Sequence, residues 1–213
     1  MTKFDWRVWQ LVDSGFPAGG FAHSFGLEAA YQQGEVDAVS LSAFVRDAIA
    51  QAGHGALPFV LAAFDDPISI GVSDERCDAF VRNPVANRAS RVQGRAWLGA
   101  VRRAFPGVDV RDGPHRHFAP AFGVSVGRLG IARIDAARMF LFGVARGTLS
   151  AAVRLGITGT NDAQRILSER GEDLDRTIRR CADLDIDDAA QTSPLIDLWQ
   201  ASHDRLYSRL FIS

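Results

Sequence analysis

The sequence lacks most of the features that mark specialised classes of protein. It contains 2 cysteines, Cys77 and Cys181, which lie far apart and form neither a CxxC nor a zinc-finger spacing. This usage favours a reducing compartment over a disulfide framework. No apolar run approaches the length of a membrane span. The N-terminal segment carries Asp5 and Arg7 among its apolar residues and has no signal-peptide core. We therefore expect a cytoplasmic protein.

An excess of charge of one sign is also missing. The formal net charge of −1 at pH 7 predicts no general attraction to nucleic acid or to an anionic membrane. With 47% hydrophobic and 23% charged residues, the composition is that of a globular protein. A chain of 213 residues is long enough to bury a core without help from a disulfide or a metal.

Complete catalytic and metal-binding motifs are absent as well. The chain has no G-x-S-x-G elbow and no P-loop. His115 and His117 form an H-x-H pair, but two ligands do not make a metal site, and we interpret His117 as the start of a helix. The aspartates at 183–188 lack the order of an EF-hand and are interpreted as a solvated turn. His54, between two glycines, is interpreted as a solvated loop residue.

The most informative segment covers residues 13–28 and reads D-S-G-F-P-A-G-G-F-A-H-S-F-G-L-E. Its glycines and Pro17 predict a sharp turn, and the spacing of apolar residues predicts a helix from Phe21 that ends at Gly34. On such a helix Ser24 would lie beside Glu28, while His23 would point away from Ser24 and could not act as its base. We interpret the segment as a contact surface.

Two alternatives for this segment stay open. The glycine-rich turn could bind an anion through its free N–H groups. A small hydrolase or phosphoryl-transfer helper could use His23, Ser24 and Glu28 if a base such as His203 joined them. A third possibility is direct binding of a metal such as copper, nickel or zinc by His23, His115, His117 or His203.

Helical periodicity continues through almost all of the remaining chain, with no β alternation and no repeat. The sequence therefore predicts an all-α fold, a single-domain bundle of about nine or ten helices over residues 1–213. The predicted helices include residues 4–12, one that Ser40 caps and that runs to Gly53, one from Pro84 to Phe105 capped by Asn83, a long central one over 134–155, one from 161 through 178, and a terminal one over 195–211.

Arginines share one face of the predicted helix that follows Asn83. They are Arg88, Arg91, Arg95 and Arg102, and no acidic residue lies between Asp78 and Asp109. Solvated helix faces usually mix charges of both signs. An unmixed arginine face suits an acidic partner or phosphates, although a plain solvated face remains an equal alternative.

The chain stops in an apolar tail, R-L-Y-S-R-L-F-I-S. Such a tail would fray and aggregate in water, so it must pack either on its own core or on a partner.

Several of these segments resemble the urease accessory protein UreF family. The resemblance rests on L-V-D-S-G-F-P-A-G-G-F-A-H-S-F-G-L-E, on R-V-Q-G-R and H-F-A-P-A-F-G in the middle of the chain, on L-S-A-A-V-R-L-G, and on the terminal H-D-R-L-Y-S-R-L-F-I-S. It implies an all-helical, non-enzymatic chaperone for nickel insertion into urease, without a cofactor or a metal site of its own. It also implies a homodimer that binds UreD (also called UreH), the GTPase UreG and apo-urease.

The resemblance further implies which residues bind partners. These are Pro17, Gly19, Phe21, His23, Ser24, Gly26, Leu27 and Glu28 of the N-terminal motif, Arg91 and Arg95, and Arg209, Leu210, Phe211 and Ser213 of a tail that docks onto UreD. Two segments depart from the family pattern. Ala89-Ser90 stands where a glutamate is usual, and residues 156–160 replace an L-G-Q-T-like loop.

Overall fold

The computed structural model describes residues 5–213, and over that range it contains eleven α-helices and no β-strand. The helices are α1 (Trp6–Val12), α2 (Leu27–Gln32), α3 (Leu41–Gly55), α4 (Leu57–Asp65), α5 (Ile70–Phe80), α6 (Pro84–Ala104), α7 (Phe118–Arg128), α8 (Arg133–Arg154), α9 (Thr160–Glu169), α10 (Gly171–Cys181) and α11 (Pro194–Ser202). Short 3₁₀ turns occupy Gly20–Ala22, Ile186–Asp188 and His203–Arg205. The predicted all-α fold is confirmed. Phe4, the first residue of the predicted N-terminal helix, lies outside the described residues.

Local signals placed two helices correctly. The Asn83 side chain accepts hydrogen bonds from the N–H groups of Val85 at 3.0 Å and Ala86 at 3.4 Å, and Pro84 occupies the first turn of α6. This is the arrangement that an Asn-Pro pair favours, because the proline has no N–H to leave unpaired. His117 immediately precedes α7, as predicted.

Helix α8 lies at the centre of the fold, as its apolar residues on more than one face predicted. Met139 and Phe140 belong to a core cluster that includes buried residues of α4, α6 and α7. Ala145 and Leu149, further along the same helix, belong to a second cluster with buried residues of α2, α3, α9 and α11. One helix therefore contributes to both core clusters, and its burial stabilises both of them.

Glycines allow α4 and α7 to approach closely. A Cβ atom at Gly123 would overlap the carbonyl oxygen of Val60, and one at Gly127 would lie 3.1 Å from the carbonyl oxygen of Phe64. Gly130 differs from these two, because it has φ +72° and faces open space just after α7. Gly123 and Gly127 therefore allow close packing, and Gly130 ends the helix.

The structure corrects two helix boundaries near the termini. The helix predicted from Phe21 begins only at Leu27, because Phe25 (φ 54°) and Gly26 (φ 86°) adopt left-handed conformations that interrupt it. The terminal helix ends at Ser202, followed by a 3₁₀ turn, so that residues 206–213 run as a non-helical tail. In both places the apolar spacing matches a helix, but the backbone follows contacts between the two ends of the chain.

Three smaller predictions are also wrong. His54 lies within α3 and its Nδ1 contacts the Ala50 carbonyl oxygen at 2.9 Å, so it is not a loop residue. Ser40 precedes α3 but its hydroxyl makes no cap, and the Asp37 carboxylate instead accepts from nearby N–H groups. The helix predicted from 161 through 178 is two helices that meet at Arg170.

Within residues 5–213, no helix combines the length and apolar character needed to cross a membrane.

Candidate partner-binding site

The C-terminal tail packs against the segment between α1 and α2. Ser24 N–H donates to the Ser213 main-chain oxygen at 2.6 Å, and Ile212 N–H donates to the Ala22 carbonyl at 2.9 Å. The Ser24 hydroxyl donates to the same Ser213 oxygen at 3.0 Å, and His23 Nδ1 lies 2.6 Å from Ser213 Oγ. The two ends of the chain are thus joined by main-chain and side-chain hydrogen bonds.

Glu28 provides a second attachment for the tail. Its carboxylate accepts from the N–H of Leu210 at 2.5 Å and from that of Phe211 at 3.2 Å. It also lies 2.9 Å from His203 Nε2, and both side chains are essentially inaccessible to solvent. A buried carboxylate is costly unless every interaction is satisfied, and here three donors satisfy it. We call His23, Ser24, Glu28 and His203 the tail anchor.

An arginine from the central helix completes the attachment. The Arg154 guanidinium lies 3.9 Å from the Phe21 ring centroid and 4.3 Å from that of Phe211. Its Nη1 donates to the Phe21 carbonyl at 2.5 Å. Cation–π contacts of this kind hold aromatic rings in place, so Arg154 links the turn to the tail.

The side chains of the hydrolase alternative are those of the tail anchor. Ser24 Oγ donates to Ser213, and His203 is paired with Glu28, so the structure does not place a base on the serine. The helix on which we compared His23 with Ser24 is absent, because both residues precede α2. His23, Ser24 and Glu28 each contact residues of the tail, and these contacts hold the tail in place.

Burial, together with the nearby charge of His203, lowers the pKa of His23 from 6.5 to about 4. A depressed histidine pKa means that the folded chain favours the neutral ring. The resulting stability is fully present above pH 6.5 and is lost as the pH falls towards 4.

Substitution of His23 should therefore change how the free energy of unfolding depends on pH. Between pH 6.5 and 4 the wild type should lose about 3 kcal/mol of its free energy of unfolding through His23, since each pKa unit corresponds to about 1.4 kcal/mol. His23→Gln should not show this loss. Urea unfolding at a series of pH values measures this slope. His54→Gln, in α3, is the control and should keep the wild-type slope. An unchanged slope in His23→Gln would show that protonation of other groups dominates acid unfolding.

Several apolar side chains remain exposed around the tail anchor. Phe21 is 69% exposed, Leu210 52% and Ile212 55%, although their neighbour Phe211 is only 5% exposed. Leu195 and Leu198 of α11 are also largely exposed, and α11 packs against the Gly26 backbone. Exposed apolar side chains that are grouped in this way mark interaction surfaces more often than isolated ones do.

The predicted partner-binding residues therefore divide by exposure. Those exposed are Pro17, Phe21, Arg95, Arg209 and Leu210, and those partly exposed are Gly19 and Arg91. The others are buried within the chain and shape the surface from beneath; they are His23, Ser24, Gly26, Leu27, Glu28, Phe211 and Ser213.

The arginine face of α6 is partly neutralised within the chain. Arg88 forms a bidentate contact with Asp204 at 2.8 and 2.9 Å. Arg102 contacts Asp112 and donates to the Val110 carbonyl. Among the part of the chain that the structure describes, no ion pair involves Arg91 or Arg95. The arginine face therefore contains two residues that pair within the chain, Arg88 and Arg102. The other two, Arg91 and Arg95, remain available to a partner.

His117 belongs to a separate polar cluster. Its ring lies 2.9 Å from Asp78 Oδ1 and 3.0 Å from Ser90 Oγ, and burial lowers its pKa although Asp78 opposes the shift. Ser90, noted as a departure from the family pattern, thus has an internal contact. Over residues 5–213, no three histidine, cysteine, aspartate or glutamate side chains are grouped so as to hold a metal ion.

Sequence reasoning missed Asp74. Its buried carboxylate accepts three consecutive N–H groups, from His115 at 2.6 Å, Arg116 at 2.8 Å and His117 at 2.8 Å. These bonds fix a turn in which Arg116 has φ 64°. No local pattern connects Asp74 with a loop about forty positions later, so this contact had no signal in the sequence.

The similarity of the chain to known proteins identifies its family. A model of the UreF family matches residues 36–170, which is more than half of the chain. The chain belongs to the UreF family. Curated relatives align over nearly the whole chain, and so well beyond the matched range.

Three relatives show the extent of this similarity. Urease accessory protein F of Oryza sativa subsp. indica is 34% identical over 219 residues, covering 97% of this chain and 84% of the relative. The protein of the same name from Arabidopsis thaliana is 35% identical over 221 residues, covering 98% and 92%. Urease accessory protein UreF of Paenarthrobacter aurescens (strain TC1) is 30% identical over 213 residues, covering 96% of both chains. The resemblance noted in the sequence is confirmed.

Proposed function

We propose that this chain is a non-enzymatic assembly factor for urease, active in the cytoplasm as a homodimer. It binds UreD (UreH) and the GTPase UreG while nickel is inserted into apo-urease. UreF family membership supports a role in urease maturation. The observation that carries the binding role is the ordered tail, which presents Leu210 and Ile212 to solvent while Phe211 is buried.

Ordering the tail in advance favours partner binding. A disordered apolar tail would lose conformational entropy when it docked, and this loss would weaken the complex. Here Glu28 and Ser24 already fix its backbone. The exposed side chains can then enter a partner's surface, where buried apolar groups contribute most of the binding energy.

Arg91 and Arg95 form a second part of the proposed surface. Because neither has an ion pair among the described residues, each can meet a carboxylate of an acidic partner. Charged contacts of this kind mainly direct orientation and association rate, and the apolar tail supplies the affinity.

A co-purification experiment tests the proposal. The double variant Leu210→Ser/Ile212→Ser should reduce capture of UreD and UreG at least tenfold, since two apolar side chains leave the interface. The matched control is Ile68→Ser/Val72→Ser, which removes two exposed apolar side chains away from the tail. Arg91→Glu/Arg95→Glu should also reduce capture, and this loss should vary with salt concentration.

The outcomes distinguish a wrong contact surface from a wrong function. Equal capture by the wild type and the tail variant, with both folded, would exclude the tail as a contact. Failure of the wild-type chain to bind either protein would overturn the proposed function itself.

A further inference from the structure

A cavity of about 460 Å³ lies beneath the turn between α1 and α2. Its walls are mainly apolar and aromatic, and they include Phe16, Phe25, Trp97, Phe122 and Phe140. Phe211 and Ser213 of the tail also contribute to the wall. Its size and lining are those of small-molecule sites, which are usually apolar with a few polar groups that fix the orientation of the ligand.

Three of the residues that line this cavity carry buried nitrogen atoms without a hydrogen-bond partner among residues 5–213. They are His23 Nε2, Trp97 Nε1 and Arg146 Nε. His23 is 2% exposed and Trp97 is 1% exposed. A buried donor without a partner is costly, and indole and guanidinium nitrogens can only donate. A ligand in the cavity that accepts hydrogen bonds would give donors of this kind a partner.

Arg146 sets the charge of that ligand. Burial lowers the pKa of its guanidinium, while the charge of Asp13 opposes the shift. Asp13 is exposed, so water screens its attraction for Arg146. An anionic group that entered the cavity would meet the guanidinium in apolar surroundings, where charge-assisted hydrogen bonds are strongest.

We propose that this cavity binds an amphipathic carboxylate, with its apolar chain among the aromatic side chains and its carboxylate on Arg146. The cavity adjoins the partner-binding surface and shares Pro17, Gly19 and Phe21 with it, but the proposal does not depend on the proposed function. Neutral apolar molecules would gain the same burial but would leave the arginine unpaired. The charge of the head group therefore discriminates between ligands.

Gly143 offers a direct way to fill the cavity. This residue lies in α8 and lines the cavity, and a Cβ atom there would meet nothing within 4 Å. Gly143→Leu should fold, because the new side chain enters open space and leucine favours helix more than glycine does. Gly71→Leu is the matched control, since Gly71 is also helical with open space around it but does not line the cavity.

Titration calorimetry of the purified full chain with decanoate, and separately with 1-decanol, tests the proposal. We expect saturable binding of one decanoate per chain and at least tenfold weaker binding of decanol. Arg146→Gln should weaken decanoate binding at least tenfold and leave decanol binding unchanged, whereas Arg138→Gln, on the exposed face of α8, should change neither. Gly143→Leu should abolish binding of both, and Gly71→Leu should bind as the wild type does.

Several results would overturn the proposal. One is non-saturable or multiple binding, which would indicate adsorption to the exposed apolar surface. Another is equal affinity for decanoate and decanol, which would remove the role of Arg146. Undiminished binding by Gly143→Leu would place the ligand outside this cavity. Circular dichroism at the end of each titration establishes that the chain stays folded, so that loss of binding reports on the cavity.

Discussion

Glu28→Ala should lower the free energy of unfolding by about 3–5 kcal/mol, because three donors lose a buried acceptor and each unsatisfied donor costs about 1–3 kcal/mol. The change leaves His203 buried beside an apolar methyl group and removes the acceptor for the N–H groups of Leu210 and Phe211. Urea unfolding followed by circular dichroism measures the loss. Hydrogen exchange at the Leu210 and Phe211 amides should speed up as the tail is released.

The control for this variant is Glu35→Ala. Glu35 is exposed shortly after α2, and removal of an exposed charge usually changes stability by less than about 0.5 kcal/mol. If the Leu210 and Phe211 amides kept their protection in Glu28→Ala, the tail would not depend on this carboxylate. Similar destabilisation in both variants would point instead to a general effect of charge near α2.

Gly123→Ala should destabilise the chain by about 3 kcal/mol, at the upper end of the usual range for overpacking. The added methyl group would overlap the Val60 carbonyl oxygen, which is part of the α4 backbone and cannot rotate away. Relief requires α4 and α7 to separate, and this would loosen the larger core cluster. Thermal and urea unfolding both measure the effect.

Gly143→Ala is the matched comparison. It makes the same chemical change in a helix, but in open space, so it should stabilise the chain by about 0.5–1 kcal/mol. The two variants should thus differ in sign. A stabilising Gly123→Ala would mean that α4 and α7 lie further apart than the structure shows.

The sequence predicted helices best where the signals were local. Asn83 and Pro84 marked the start of α6 because capping depends on adjacent residues. The apolar pattern over 134–155 predicted the central position of α8, since a helix that is apolar on several faces must be surrounded. Such evidence is contained within one segment, so no knowledge of the fold was required.

The tail anchor depends on contacts that no single segment reveals. Glu28 and His203 are separated by 175 positions, and Ser24 and Ser213 by 189. The spacing of Phe21 and Phe25 matched a helix, but attachment of the tail favours an irregular backbone there. Local propensity is a weak guide where distant contacts decide the conformation. The residue types were therefore recognised as important while their geometry was predicted incorrectly.

The pairing of residues 22–28 with residues 203–213 also sets an order of events during synthesis. The first segment leaves the ribosome early, but its buried partners come much later, since His203 follows Glu28 by 175 positions. Non-local contacts of this kind form late, because the long intervening chain must be closed first. The apolar surface around the tail is thus assembled only after residues 203–213 have been made, and a product terminated before them cannot present it to other proteins.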